Sequence, residues 1–331
     1  MSTPENRTIT LVEALREALF EELERDDQVI VLGEDVAEAG GVFKVYAGLY
    51  ERFGPDRVLD TPISEAGFVG TAVGAAVTGM RPVVDVMFCD FITLAMDQIV
   101  NQAAKLRYMT GGQLSVPLVI HTAVGAGRSA AAQHSQSLQA WFAHVPGLKV
   151  ALPSTPRDAK GLLKSAIRDD NPVVFMADKA MYQLEGEVPE GDFTIPLGEA
   201  EIKRPGQDVS LVATLSMVQV ALEAAERLAE QGIEAEVVDP RTLKPLDAET
   251  ILASVRKTHR AVVIDEGYLS YGATAEIASV IADRAFDWLD APVKRMGAMD
   301  VPVPYSPALE PATIPSSDDL VRVVLELVGG A

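Results

Sequence analysis

Glu65 and His134 are the side chains in this sequence whose type and setting most invite chemistry. Glu65 is a lone carboxylate in the stretch Asp60–Phe91, DTPISEAGFVGTAVGAAVTGMRPVVDVMFCDF, set between a short apolar segment and a run of glycine and alanine. His134 lies in AAAQHSQ, flanked by Gln133, Ser135 and Gln136, in a loop expected at the carboxyl edge of a parallel sheet. Ligands of open α/β folds usually sit at that edge. A buried carboxylate keeps a raised pKa and an imidazole titrates near neutrality, so the two could form an acid/base pair. Spacing alone leaves open whether they meet. It also leaves open a plainer role for each: Glu65 as a helix N-terminal charge satisfied by backbone amides, and His134 as a hydrogen bonder that stabilises its loop. Met87 and Phe91 have the pattern of core residues, and Cys89 that of a small buried hydrophobe. Asp265-Glu266-Gly267 reads as a turn or as a site. No zinc-ligand spacing and no GxxxxGK phosphate loop is present.

The elements that must carry these residues follow from periodicity. Thr10 and Glu13 form a capping-box pattern, with Leu11, Leu15, Leu19 and Leu23 along one face, so a helix is predicted from there to about Asp26. Strands are predicted at Val29 to Leu32, Arg81 to Met87, Val116 to Thr122, Leu148 to Leu152 and Pro172 to Met176. Phe91 to Met109 reads as one helix, and Thr155 caps another with Pro156 in its first turn. If Glu65 opens a helix, Gly67, Gly70 and Gly74 let that helix lie close against a neighbour or a ligand. Strands alternating with helices predict a parallel sheet covered on both faces. Residues 183–207, with Pro189, Pro196 and Pro205 among scattered charges, read as a connection between domains. The alternation then resumes at Val209 to Ala213, with Ser216 expected to cap the next helix, and ends in a helix from Asp318 to Val328. The chain is thus read as α/β in two domains, 1–182 and 208–331.

Composition narrows the partners. The 331 residues, 48% hydrophobic, suffice for two cores, and the formal charge of −20 argues against nucleic acid and anionic membrane. No stretch of about 18 uninterrupted apolar residues is present, and the opening MSTPENRT lacks the apolar core of a secretion signal. With a single cysteine, a cytoplasmic protein is expected.

DTPISEAGFVGTAVGAAVTGMRPVVDVMF, DQIVNQAAKLRYMTGG, AAAQHSQSLQAW, PGLKVALPSTPRDAKGLLKSAIRDDNPVVF and VVDPRTLKPLD together resemble the beta subunit of the thiamine-diphosphate-dependent decarboxylase component of 2-oxo acid dehydrogenase complexes, of the pyruvate and acetoin type. The resemblance runs from about Ile9 to Val328. It implies a transketolase-like pyrimidine-binding domain, a linker and a transketolase C-terminal domain. It places Glu65 against the far nitrogen of the cofactor's aminopyrimidine, Phe91 on that ring with Met87 and Ile63 alongside, and His134 as the active-site histidine. It maps a structural potassium ion to Leu118, Ala166, Ile167, Asp169 and Asn171. The Gly-Asp-Gly that introduces the Mg2+ and diphosphate site in thiamine-diphosphate enzymes does not occur here, so the resemblance implies an alpha subunit that supplies it, in an α2β2 heterotetramer. It also implies a dihydrolipoyl acyltransferase core whose small basic subunit-binding domain docks on the C-terminal domain. Pyruvate or acetoin is the expected substrate. The alternatives are a branched-chain 2-oxo acid dehydrogenase subunit, a non-catalytic assembly module and a stand-alone transketolase-like enzyme.

Overall fold

A computed structural model describes residues 6–329, and the opening MSTPE, read above for a secretion signal, lies outside them. The chain divides into two compact units, the first holding residues up to 124 and 141–197, the second 125–140 and the remainder from Gly198.

In the first unit the capping box forms as its spacing predicts. Thr10 Oγ1 accepts from Glu13 N at 3.3 Å, and Thr10 N donates back to Glu13 Oε2 at 2.8 Å. Helix α1 (Leu11–Arg25) follows, with Leu11, Leu15, Leu19 and Leu23 all buried. Each such leucine contributes about 2 kcal/mol of burial. Strand β1 (Asn6–Thr10) precedes it, and β2 (Val29–Gly33), the short α2 (Leu49–Phe53) and β3 (Val58–Asp60) come after. Next are α3 (Glu65–Val77), β4 (Arg81–Phe88) and β5 (Val119–Val124). The unit is completed by β6 (Lys149–Ala151), α6 (Pro156–Arg168), β7 (Val173–Asp178) and β8 (Glu185–Pro189), while α5 (Gln139–His144) begins where the chain returns from the second unit. Six strands of this unit lie in the order β6-β7-β5-β4-β2-β3, each pair parallel, and are buried largely in apolar runs, while β1 and β8 pair antiparallel apart from them. That is the pattern of a sheet covered on both faces.

The segment expected as one helix from Phe91 to Met109 is instead three pieces: a 3-10 turn (Phe91–Ala95), a π-helical turn (Gln98–Ala103) and α4 (Ala104–Met109). Ile92, Ala95, Ile99, Ala103 and Ala104 are buried, whereas Asn101 and Gln102 are exposed. The wide π turn brings Ile99 and Ala103 to the same inward face. Gly147 fits beneath α4 only for want of a side chain, since a Cβ there would fall 2.0 Å from Ala104 O.

In the second unit β9 (Glu201–Arg204), β10 (Val209–Ala213), α7 (Ser216–Ala229), β11 (Ala235–Asp239) and β12 (Thr242–Lys244) are followed by α8 (Ala248–Thr258), β13 (Ala261–Tyr268), α9 (Ala273–Arg284), β14 (Lys294–Ala298) and α10 (Ser317–Gly329). The strand order is β14-β13-β10-β11-β9, parallel except for β9. Leu211, Val218, Ala225, Leu228, Leu320 and Val324 lie in its core.

Three sequence readings change here. Residues 183–207 are not a bare connection: β8 pairs with β1, β9 pairs with β11, and the units divide between Leu197 and Gly198. Long-range strand pairing makes order of a proline-rich, charged stretch. Ser216 does not cap α7 but is its first residue, after Leu215 in the left-handed region at φ 51°. Its place inside the helix takes it out of the cap role, and its hydroxyl donates to Glu266 Oε2 at 3.0 Å. Asp265-Glu266-Gly267 is no turn. All three lie within β13, and both carboxylates are buried.

Candidate active site

Glu65 is the first residue of α3, just beyond Ser64, whose side chain makes no cap bond. It is 8% exposed, and among the described residues no donor hydrogen-bonds its carboxylate. The plainer reading of Glu65 required backbone amides to satisfy it, and no such bond is present. Its oxygens are not among the buried polar atoms left without a partner, so the carboxylate keeps some access to water and stays open to a donor from outside the chain. Ile63 does not shield it: Ile63 is 84% exposed.

A second carboxyl group, which the sequence reading passed over, belongs to the same neighbourhood. Burial pushes the Glu34 carboxyl above its usual range, and the charges of Glu65, Asp35 and Asp85 add to that rise. The loop opened by Gly33 carries Glu34 at the end of β2, the strand beside β4.

β4 and the turn after it carry the next two candidates. Met87, near the end of β4, and Phe91, at the start of the 3-10 turn, are both half-buried rather than core. Phe91 packs edge-on against Phe88 with ring centroids 5.9 Å apart, and Phe88 in turn meets Phe43 at 5.5 Å. Below them the register of β4 and β5 sets Asp85 opposite His121. Tyr46 Oη donates to Asp85 Oδ1 at 2.9 Å and lies 2.7 Å from His121 Nδ1, which is itself 3.0 Å from Asp85 Oδ1. All three are buried.

On the Gly/Ala helix, Phe68, Val69, Ala72, Val73 and Ala76 face inward while Gly67, Thr71 and Gly74 are exposed. A Cβ added at Gly74 would meet nothing within 4 Å. The small residues therefore leave an open outward stripe along α3.

The residues mapped to a cation gather where α6 ends and β7 begins. Their oxygens are already engaged. Arg81 Nη1 donates to Ile167 O at 3.0 Å and to Asp169 O at 3.1 Å, and Leu118 O accepts from Val173 N at 2.8 Å. Ala166 O accepts from Asp169 N at 3.3 Å, and Asn171 Oδ1 accepts from Arg107 at 2.8 Å. The Asp169 carboxylate is ion-paired with Lys149 and accepts from Asn171 N and Nδ2, both at 2.8 Å. Burial pushes Asp169 up, but the bonds from Lys149 and Asn171 outweigh it and hold the carboxyl below its usual range. Carbonyl oxygens keep a second lone pair each, so the donor set suits a hard monovalent ion, with Arg81 and Lys149 as built-in competitors. Among the described residues no three of His, Cys, Asp and Glu gather as metal ligands, and no helix is long and apolar enough to cross a membrane.

His134 belongs to the loop of residues 125–140, which clusters with the second unit although it lies in sequence between elements of the first. His134 is half-buried, and its backbone N donates to Ala131 O at 3.3 Å. The loop is fastened by carboxylates the sequence reading did not single out as its supports. Glu266 accepts from Ala126 N, and Glu310 accepts from Gly127 N at 2.9 Å and Ser129 N at 2.8 Å. Asp265 accepts from Gln139 Nε2 at 2.8 and 2.9 Å and from Thr214 Oγ1 at 2.5 Å. Glu310 carried no local signal, since its partners lie some 180 residues away.

Two α/β units, each built on a largely parallel sheet, with a buried glutamate at the start of a small-residue helix, are the features that the comparisons with known proteins place in the transketolase-like class. The families described as "Transketolase, pyrimidine binding domain" and "Transketolase, C-terminal domain" match residues 7–185 and 198–320. The chain is 51% identical over 98% of both chains to the acetoin:2,6-dichlorophenolindophenol oxidoreductase subunit beta of Bacillus subtilis. It is 49% identical, over 96% of this chain and 97% of the other, to the pyruvate dehydrogenase E1 component subunit beta of Rickettsia felis. Among solved structures, a split gene transketolase described as an inactive beta4 tetramer superposes with a TM-score of 0.80 at 25% identity, over 97% of this chain and 98% of that one. The chain belongs to the family of pyruvate and acetoin dehydrogenase beta subunits.

Proposed function

We propose that this chain is the beta half of a thiamine-diphosphate-dependent 2-oxo acid dehydrogenase acting on pyruvate or acetoin. The observation that carries the reading is Glu65, a buried carboxylate at a helix start with no donor from its own chain. When bound, thiamine diphosphate supplies a thiazolium carbanion, generated by its own aminopyrimidine in the imino form. Glu65 would hold a proton at the far ring nitrogen and so favour that tautomer. Phe91, fixed edge-on by Phe88, would offer its face to the pyrimidine ring, with Met87 and Ile63 completing the apolar contact. His134 would hold and release protons during decarboxylation and passage of the acyl group to a lipoyl arm.

The chain is incomplete as a catalyst on this reading. An alpha subunit, in an α2β2 heterotetramer, would hold Mg2+ and the diphosphate, and the open stripe of Gly67, Thr71 and Gly74 suits close approach by another subunit. The structural relative whose beta chains alone form an inactive tetramer supports partner dependence. A dihydrolipoyl acyltransferase core, through a small basic subunit-binding domain, would dock on the second unit. There a groove of about 1170 Å³ is lined by Tyr271, Phe286, Leu289, Asp287 and Asp290. Potassium would sit at the carbonyl corner of Leu118, Ala166, Ile167, Asp169 and Asn171.

The test is Glu65→Gln in the enzyme reconstituted with its alpha subunit, assayed on pyruvate, acetoin and 3-methyl-2-oxobutanoate. Assembly is expected to persist while turnover is nearly abolished, and pyruvate or acetoin to be preferred by the wild type. Retained turnover in the variant would sink the assignment of Glu65.

A further inference from the structure

We propose that Glu310 is a positioning residue for His134, acting through the backbone of the loop that carries it. The inference rests on the role given to His134 above. Glu310 is 3% exposed, and both its carboxylate oxygens are spent on one short piece of that loop. Oε1 accepts from Gly127 N at 2.9 Å; Oε2 accepts from Ser129 N at 2.8 Å and from Ser129 Oγ at 3.3 Å. Charge-assisted bonds of this kind are the stronger sort, and three converge on one side chain.

The backbone they hold is one that would not persist unaided. Ser129 and Ala131 stand in the left-handed region, at φ 51° and 63°, where side-chain-bearing residues are uncommon. Such conformations survive only where their surroundings over-determine them. Ala131 O then accepts from His134 N, so the carboxylate reaches the histidine through one bonded turn. The other carboxylates act further away. Glu266 fastens the root of the loop at Ala126 and Asp265 its far end at Gln139, while Glu310 holds the stretch just before His134.

Glu310→Gln keeps the shape of the side chain but turns one acceptor into an NH2 group facing a backbone N–H. The experiment compares wild type, Glu310→Gln, His134→Ala and the double variant, each reconstituted with the alpha subunit. Decarboxylation is followed with an artificial electron acceptor across pH. A displaced histidine is expected to lower kcat by about 10²-fold in Glu310→Gln, with KM little changed. In the His134→Ala background the same substitution is expected to cost less than about threefold, because both changes remove one function. Glu310→Asp, which keeps the carboxylate, should recover part of the loss. Equal fold-losses in the two backgrounds, or no loss in Glu310→Gln, would overturn the role of Glu310. Full activity of His134→Ala would overturn instead the reading of His134 on which it rests. Should Glu310→Gln fail to assemble, Ser129→Gly loosens the same backbone and removes the hydroxyl bond to Glu310 while leaving the carboxylate and both backbone N–H donors in place, and is held to the same two comparisons.

Discussion

Replacing Tyr46 by Phe removes one oxygen from the interior of the first unit and leaves the ring where it is. That oxygen donates to Asp85 Oδ1 at 2.9 Å and touches His121 Nδ1 at 2.7 Å, with Tyr46 only 2% exposed. Water has little access to make good the loss. A hydrogen bond to a charged group contributes about 1.5–3 kcal/mol, and an acceptor left short in the interior forfeits most of that, so the variant should lose about 2 kcal/mol. For a unit of this size the loss corresponds to a fall of about 6 °C in its unfolding midpoint. Burial, and then the Asp85 charge, push the Tyr46 hydroxyl well above its ordinary pKa of 10.0. The folded state therefore keeps this proton after the unfolded chain has lost it, and stability contributed below pH 10 declines as pH rises beyond it. Urea titrations of both proteins between neutral and alkaline pH read both effects. A cost below about 0.5 kcal/mol, with the same alkaline slope in wild type and variant, would refute the reasoning.

Two further outcomes are expected. Gly74→Ala should raise the stability of the isolated chain by up to about 1 kcal/mol, as any solvent-facing helix glycine replaced by alanine would. On the proposed use of the α3 stripe it should at the same time weaken association with the alpha subunit; thermal unfolding and sedimentation of the mixture check the two signs, and undiminished association removes the stripe from the interface. For Glu34, whose carboxyl is raised by burial and by the Glu65, Asp35 and Asp85 charges, ionisation costs folding free energy. That cost is absent below the unfolded value and grows as pH rises through the folded one, so Glu34→Gln should gain stability at neutral pH and little near pH 4. Denaturant midpoints at the two pH values decide it, with an equal shift at both counting against the cause.

Where a residue's partner lies within four positions, the sequence was a good guide. Thr10 with Glu13 set the start of α1 as their spacing required, and Thr155 caps α6 with Pro156 in its first turn. The alternation of strands and helices likewise carried the two-unit α/β architecture. What escaped was decided by distant partners. Ser216 has a cap's chemistry, but it falls one position inside α7 and its hydroxyl goes to Glu266, 50 residues on. Glu266 itself looked like part of a turn because nothing near it reveals that β13 runs on to Tyr268. The proline-bearing stretch after Gln183 looked unstructured because β1 and β11, the strands that order it, lie far off in sequence. Glu65 and His134 were visible as chemical types, yet not as a donor-less carboxylate and a histidine on a clamped loop. Ile63 was expected to shelter Glu65 and stands exposed, since apolar character does not say which molecule will cover a residue.

The loop of residues 125–140 is spelled within one half of the sequence and fastened to the other. Exchanging C-terminal halves between relatives at Gly198 would separate Gly127 and Ser129 from the glutamate that holds them, even though the cut looks clean on a linear map. A chimera that keeps its histidine aimed has to move residues 125–140 together with everything after 197. The heritable module that includes His134 is thus discontinuous, and substitutions at position 310 and at positions 127–131 should be traded as a set rather than singly.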